Sequence, residues 1–562
     1  MIQEIIKINS VEPEIDGGRY PVKTEIDVSL DVYANITADI PLRVWLMYKK
    51  QDNLKWERII MKKICENKWK AKINFENIGI YEYTVEAIAV KNKNIRQTYN
   101  NTNTVIVEPK TARFSSWYEM FHRSQGKIPG KSATFKDMEE RLPEIKNMGF
   151  DVLYLVPIHP IGKINRKGPN NSLIAGPNDP GSPWAVQNHK EVNPELGTLD
   201  DFRNFVKKAN EIGMEIALDI TFTCSPDHPY IKKHPDWFFY NTDGTLKYAE
   251  NPPKKYEDVC PLNFNPKNKE KMWNEMKGII EFWIQHGVKI FRIDNPHTKP
   301  TEFWEWLIKE IKKKYPEVIF LSEAFVYYEK LEELAKIGFS QSYSYFTWRN
   351  TKNELIEYFY KLTNSYLKYF LRVNLFTNTP DILPFYLQTG GRPAFMIRAV
   401  LAATLSSIYG IYNGFELCEN TAIPGKEEYL NSEKYEYKVW DWNRPGNIKD
   451  FITKINKIRQ ENTALHYYDN LRFYNSTNEH IIFYGKTSKD KKNIILVAVN
   501  LDPFNTQTSR VTVPLEEWGI KSDAEYNIID LLTDEIYKWK GRENIVILDP
   551  NKQPAHIFKL EL

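Results

Sequence analysis

The chain has 562 residues, of which 42% are hydrophobic and 27% charged, and its 76 basic and 73 acidic residues leave a formal net charge of +3. A length of this order predicts about two to four domains. So small a positive excess argues against a nucleic-acid partner, which would need a face of clustered Lys and Arg. Cys65, Cys224, Cys260 and Cys418 form no CxxC pair and no metal-ligand spacing, so they read as reduced thiols, with no metal site and no cofactor expected. The opening MIQEIIKINSVEPEID has no apolar core of signal-peptide length. The most apolar run, Ala399 to Tyr412, is short for a membrane span and holds two serines. A cytoplasmic protein without a membrane partner is therefore expected.

The first 110 or so residues read as all-β. Ile26, Val28, Leu30 and Val32 alternate with polar residues, and Leu42, Val44 and Leu46 repeat that period, as do Tyr81, Tyr83, Val85 and Ala87. Period-2 runs divided by polar turns predict an immunoglobulin-like β-sandwich over 1–110.

From about Arg113 the pattern becomes strand, helix, strand, helix. Phe135, Met138, Leu142, Ile145 and Met148 predict one helix stopped by Gly149, followed by the strand 151–158. Thr198-x-x-Asp201 reads as a capping box opening a helix that ends at Gly213, before the strand 215–220. The strands 289–294 and 318–323 each precede an amphipathic helix, carrying Phe303, Leu307 and Ile311 in one case and Leu331, Leu334 and Ile337 in the other. Some 340 residues of this alternation predict a (β/α)₈ TIM barrel over 111–458, with insertions at about 158–196 and 224–268. A doubly wound sheet would call for a glycine-rich loop after the first strand, and none is present. Beyond 458, IIFYGK and NIILVAVNLDP signal a C-terminal β-sandwich over 459–562. The fold class expected is thus multidomain α/β, a central barrel between two β-sandwiches.

Asp219, Asp294, Glu323 and Asp381 stand at or just past the C-terminal ends of predicted barrel strands, the end where barrel enzymes carry their catalytic groups. One such carboxylate alone could equally be a helix cap or a buried ion-pair partner. Arg292, two residues before Asp294, points the same way along the strand and can keep Asp294 ionised.

The phrases around three of these residues, GVKIFRIDNPHTKP, VIFLSEAF and FTNTPDILP, resemble conserved regions of the α-amylase superfamily, glycoside hydrolase family 13. The resemblance implies that Asp294 attacks the anomeric carbon, that Glu323 is general acid and then base, and that Asp381 binds the distorted sugar. Such retaining chemistry uses two carboxyls about 5–5.5 Å apart, one ionised and one protonated.

Longer phrases are similar to those of the α-1,4-glucan:maltose-1-phosphate maltosyltransferases: RKGPNN at 166–171, CSPDHP at 224–229, AENPPKKY at 249–256, QSYSYFTWRN at 341–350 and SEKYEYK at 432–438. The resemblance spans nearly the whole chain. It implies transfer of a maltosyl unit from α-maltose 1-phosphate to the non-reducing end of an α-1,4-glucan. It also implies that Lys254, Tyr256 and Asn295 line a phosphate site, and that Lys167, Asn171, Lys434 and Tyr435 hold the second glucose. Cys224 stands where amylases usually carry a sugar-contacting His, as it does in this family. Thr223 replaces a usual Gln, so one donor contact is missing or replaced. The helical insertion that helps relatives to dimerise is absent between the first sandwich and the barrel, which puts a homodimer of that kind in doubt. The loop 183–197 is also shorter than usual. Two alternatives share the carboxylates or the ligand: an amylase-type hydrolase of maltodextrins, and a non-catalytic glucan-binding protein.

Overall fold

A computed structural model describes residues 6–251 and 254–561, with the side chains of Asn251 and Lys254 outside the description. Eight parallel strands form the central sheet: β1 (Ser115–Met120), β2 (Val152–Leu155), β3 (Glu215–Ile220), β4 (Ile290–Ile293), β5 (Ile319–Ser322), β6 (Gln341–Ser342), β7 (Leu375–Phe376) and β8 (Ile408–Tyr412). Each strand pairs with its neighbours in chain order, and β8 pairs with β1. A parallel bridge from Ser342 to Val373 joins the β6 and β7 sides and closes the barrel. Its interior is filled by Trp117, Tyr154, Ile290, Leu321, Tyr343 and Phe376, so the barrel is a packed core rather than a pore.

The helices follow local sequence rules, with one correction. Thr198 accepts a hydrogen bond from the Asp201 amide and Asp201 accepts one from the Thr198 amide, the expected capping box, and the helix runs Leu199–Glu211. The helix expected over 135–148 is instead two short ones, Phe135–Glu139 and Leu142–Asn147. Pro143 is the reason: lacking an N–H, it cannot continue the first helix but suits the first turn of the second.

Before the barrel lie two sheets. One has four strands, Lys7–Glu12, Leu30–Thr37, Lys68–Ile73 and Lys62–Cys65. The other is built on Val22–Glu25, Leu42–Lys50, Gly79–Ala89 and Asn103–Glu108. The alternating run Ile26–Val32 is not one strand: a turn after Glu25 separates two sheets, and Asp27 in that turn is gripped by both Nη atoms of Arg113 at 2.9 Å. Asn103–Glu108 passes through a single 3₁₀ turn, Lys110–Ala112, directly into β1.

A buried ion network fastens this region to the barrel. Glu108 meets Lys312 at 2.6 Å and also pairs with Arg372, which reaches Glu25 at 2.6 Å. Lys23 Nζ donates to the carbonyls of Ala335, Phe339 and Phe370 around a barrel helix end. After the barrel come a six-stranded sheet spanning Leu471 to Leu560 and a two-stranded sheet, Gln507–Thr512 with Glu543–Leu548, with a shared core that includes Phe483, Leu496, Ile528 and Phe558.

Candidate active site

Arg292 organises the site. It lies on β4 and is buried between Tyr154 and Tyr343, whose ring centres are 5.9 and 5.7 Å from its guanidinium carbon. Its Nη1 is 2.9 Å from Asp294 Oδ1 and 3.1 Å from Asp219 Oδ2, and its Nη2 is 2.6 Å from Glu323 Oε1. The alternation of a strand aims residues 292 and 294 at the same face. Parallel register sets Ile293 of β4 beside Ser322 of β5, so the residues that follow, Asp294 and Glu323, leave the barrel side by side.

The two carboxyls are driven apart in proton affinity. Burial raises Asp294, but Arg292, Lys299 and a hydrogen bond from Glu323 outweigh it and hold Asp294 below the ordinary carboxylate range. Burial also raises Glu323; here Arg292 opposes the rise, while the Asp294 charge and the shared hydrogen bond add to it, so Glu323 stays well above that range. One ionised and one protonated carboxyl is the state a retaining pair requires.

Asp219 is fully buried beneath this pair and accepts from Tyr154 Oη at 2.7 Å and from Trp184 Nε1 at 3.1 Å. Burial pushes it up to about 7 against the pull of Arg292. Asn295 sits in a left-handed conformation, φ 42° and ψ 54°. That turn brings its amide N–H to 3.3 Å from Glu323 Oε2 and its Nδ2 to 3.3 Å from Asp294 Oδ2.

A cavity of about 240 Å³ opens above these groups. Asp294, Asn295, Glu323, Asp381, Thr223, Tyr256, Lys434 and Tyr435, all singled out in the sequence, line it. Asp381 is fixed by Lys434, whose Nζ is 2.7 Å from Oδ1 and 4.7 Å from the Trp184 ring centre. A smaller adjoining cavity shares Tyr256, Asp381, Lys434 and Tyr435 and adds Asn171. Thr223 hydrogen-bonds Thr221 at 2.8 Å, and Thr221 donates to Asp294 Oδ2 at 3.2 Å. Lys167 lines neither cavity, and its buried ammonium pairs with Glu257. The backbone of Lys254 lies in the strand Lys254–Tyr256, and its side chain lies outside the described residues.

Trp184, Asp258 and Lys299 also line the larger cavity, and sequence reasoning missed them as site residues. The long spacing between Trp184 and β4 gave no local signal. Lys299 does lie within the phrase FRIDNPHTKP, and that position near Asp294 was the available clue.

His189, Cys224 and His228 bring potential metal-binding atoms within 4.8 Å of one another. The two histidines instead form a hydrogen-bonded chain. The Tyr230 amide donates to His228 Nδ1 at 3.0 Å, leaving the proton on His228 Nε2, 3.2 Å from His189 Nδ1. His189 Nε2 then donates to the Thr221 carbonyl at 2.9 Å. A metal on His228 Nε2 would need a proton on Nδ1, which faces an N–H; the trio fits two neutral imidazoles rather than a metal. Burial keeps both imidazoles neutral, lowering His189 to about 4 and His228 to about 2. Among the described residues no helix is long and apolar enough to cross a membrane.

Comparison with known proteins identifies the family. Family models match at three places: "Alpha-1,4-glucan:maltose-1-phosphate maltosyltransferase, domain N/S" over 4–98, "Alpha amylase, catalytic domain" over 117–274 and "GLGE, C-terminal" over 473–560. A protein of Rhodospirillum rubrum named alpha-1,4-glucan:maltose-1-phosphate maltosyltransferase is 55% identical over 81% of this chain and 67% of its own length. One of the same name from Methylacidiphilum infernorum is 43% identical over 99% of this chain and 96% of its own. Among solved structures, a maltogenic α-amylase from Thermotoga neapolitana superposes with a TM-score of 0.64 at 21% identity, over 80% of this chain and 99% of that one; it shares the fold. With 43% identity sustained over nearly the whole of both chains, this protein belongs to the α-1,4-glucan:maltose-1-phosphate maltosyltransferase family.

Proposed function

We infer that the protein is a retaining glycosyltransferase that moves a maltosyl unit from α-maltose 1-phosphate to the non-reducing end of an α-1,4-glucan. The observation that carries the mechanism is Arg292 joining Asp294 and Glu323 at the floor of one cavity. Asp294 attacks the anomeric carbon. The bond from that carbon to the phosphate oxygen breaks, its electron pair stays on oxygen, and Glu323 supplies the proton. Glu323, now a carboxylate, takes the proton of the acceptor 4-hydroxyl as that oxygen displaces Asp294. Two inversions retain the α configuration.

Asp381 binds the first sugar, and Asn171, Lys434 and Tyr435 meet the second in the adjoining cavity. A closed end there would fix the transferred unit at two glucoses. Lys167 acts at one remove, holding Glu257 next to Tyr256. Asn295 and Tyr256, with Lys254, receive the phosphate; their amide, phenol and ammonium all donate hydrogen bonds. Thr223 occupies the cavity wall where the family usually has Gln. We place the protein in the cytoplasm and divide it near residues 110 and 458, as the two end matches support.

The test is product length. Maltoheptaose incubated with α-maltose 1-phosphate should grow in steps of two glucoses, one phosphate being released per step. Growth by single glucoses, or shortening of the chain, would select a different transferase or the hydrolase.

A further inference from the structure

A phosphate dianion is an awkward guest for this cavity, because Asp219, Asp258, Asp294 and Asp381 surround or underlie it. It must be met by cations that are not already neutralised. Arg292 is committed to Asp219, Asp294 and Glu323. Lys434 is committed to Asp381, and Lys167 to Glu257. Lys299 differs. It lines the cavity yet is only 7% exposed. Its Nζ donates to two neutral acceptors, the carbonyl oxygens of Asp294 at 3.2 Å and Asn295 at 3.1 Å. Among the described residues, no carboxylate pairs with it within 4.0 Å.

An ammonium carries three donors, so two bonds to carbonyls leave one. Burying a cation without a counter-ion is costly, and an anionic group of a bound ligand would offset that cost. Burial is also what lowers its proton affinity from the ordinary lysine value, with Asp294 and Glu323 pulling the other way. A bound phosphate would pull in that same direction. The two carbonyls fix the ammonium at the turn that also presents Asn295, the residue beside the nucleophile.

We propose that Lys299 is a phosphate-binding cation of the donor site, whose ammonium is held by the Asp294 and Asn295 carbonyls to meet the phosphoryl group of the sugar phosphate and stabilise it as it departs. This deepens the maltosyltransferase reading and rests on it. In the transfer itself Lys299 gives up no proton: Glu323 protonates the bridging oxygen, the electron pair of the broken bond stays on that oxygen, and Lys299 offsets the charge of the leaving hydrogen phosphate.

The bland alternative is that Lys299 merely ties down the turn 295–298. The two differ in their dependence on leaving-group charge. The wild-type chain and the K299M and K299R variants would be assayed with α-maltose 1-phosphate and with α-maltosyl fluoride, which reaches the same covalent intermediate without a phosphate. Loss of one charge-assisted hydrogen bond predicts that kcat/KM of K299M for maltose 1-phosphate falls by about 10- to 100-fold more than for the fluoride. K299R should recover part of that difference, and inorganic phosphate should inhibit K299M more weakly than wild type. An equal fall with both donors, or unchanged inhibition by phosphate, would overturn the proposal and leave Lys299 a turn staple. If K299M fails to fold, K299R carries the test: a shifted ratio between the two donors supports the proposal, and a constant ratio refutes it. Failure of the maltosyltransferase reading looks different, since wild type itself would then release no phosphate from maltose 1-phosphate.

Discussion

Arg292 Nη1 lies 2.9 Å from Oδ1 of Asp294, two residues further along the same strand end. This contact ties the charge state of the proposed nucleophile to a residue buried in the barrel core. The same guanidinium also reaches Glu323, so it opposes protonation of both groups. Glu323 keeps its proton because burial and the Asp294 charge win there. The different proton states of the two carboxyls thus depend on distances of a few ångströms around one cation.

Arg292→Lys should therefore be far from conservative. A lysine offers a point charge and cannot span Asp219, Asp294 and Glu323 together. Fixed charge stabilisation of this kind is worth about 100-fold in rate or more, so kcat should fall by at least that factor. Steady-state phosphate release, with circular dichroism confirming the fold, checks it; a loss under tenfold would show that Arg292 does not hold the pair.

The pH profile of kcat/KM should be a broad bell. Activity needs Asp294 ionised, so the acid limb lies below the ordinary Asp value of about 3.9. It also needs Glu323 protonated, so activity falls as pH rises through a value well above the ordinary Glu value of about 4.3. Glu323→Gln should abolish the alkaline limb along with most of the activity. An alkaline limb at the ordinary Glu value, or one that survives in Glu323→Gln, would refute this assignment.

Lys434→Met removes the cation 2.7 Å from Asp381 and leaves that carboxylate half-exposed without it. Losing one charge-assisted bond predicts a rise in donor KM of about tenfold or more. The acceptor KM should change little, because Lys434 lines the donor side under this reading. Initial rates with each substrate varied in turn separate the two, and a change confined to the acceptor would reverse the orientation proposed for the cavity.

Glu108→Gln tests the joint between the first sheets and the barrel. Glu108 is fully buried, and Lys312 and Arg372 outweigh its burial to hold it far below the usual carboxylate range. A depressed folded-state value means its stabilisation is fully present above the unfolded value of about 4.3 and is lost as pH falls below it. Breaking a buried pair costs about 3–5 kcal/mol. Thermal unfolding at pH 7 should show a clear loss of stability in the variant, and the gap from wild type should narrow toward pH 3; a gap constant with pH would mean the charge is not responsible.

How much of this was legible in the sequence follows from the range of each interaction. The capping box at Thr198 and the strand ending at Ile220 depend on neighbours, and they appear as read. Pro143 was equally local, and its breaking of the expected helix was there to be seen. Arg292 and Asp294 were read from a two-residue spacing, and the distances bear out their proximity. The seat of Asp219, by contrast, is made by Tyr154, Trp184 and Arg292 from three separate segments. Nothing local announces such a meeting. Lys167 shows the converse: a family phrase nominated it for the sugar, whereas its ammonium pairs with Glu257, ninety residues away in the chain.

The central claim is that Asp294 becomes esterified by a maltosyl group displaced from phosphate. Glu323→Ala should stall the second step by removing the base, while phosphate, a good leaving group, still departs slowly in the first. After incubation with α-maltose 1-phosphate and no acceptor, the protein should gain the mass of one maltosyl unit, and fragmentation should place it on Asp294. An unmodified Asp294 alongside released phosphate, or a sugar carried by another residue, would contradict the account.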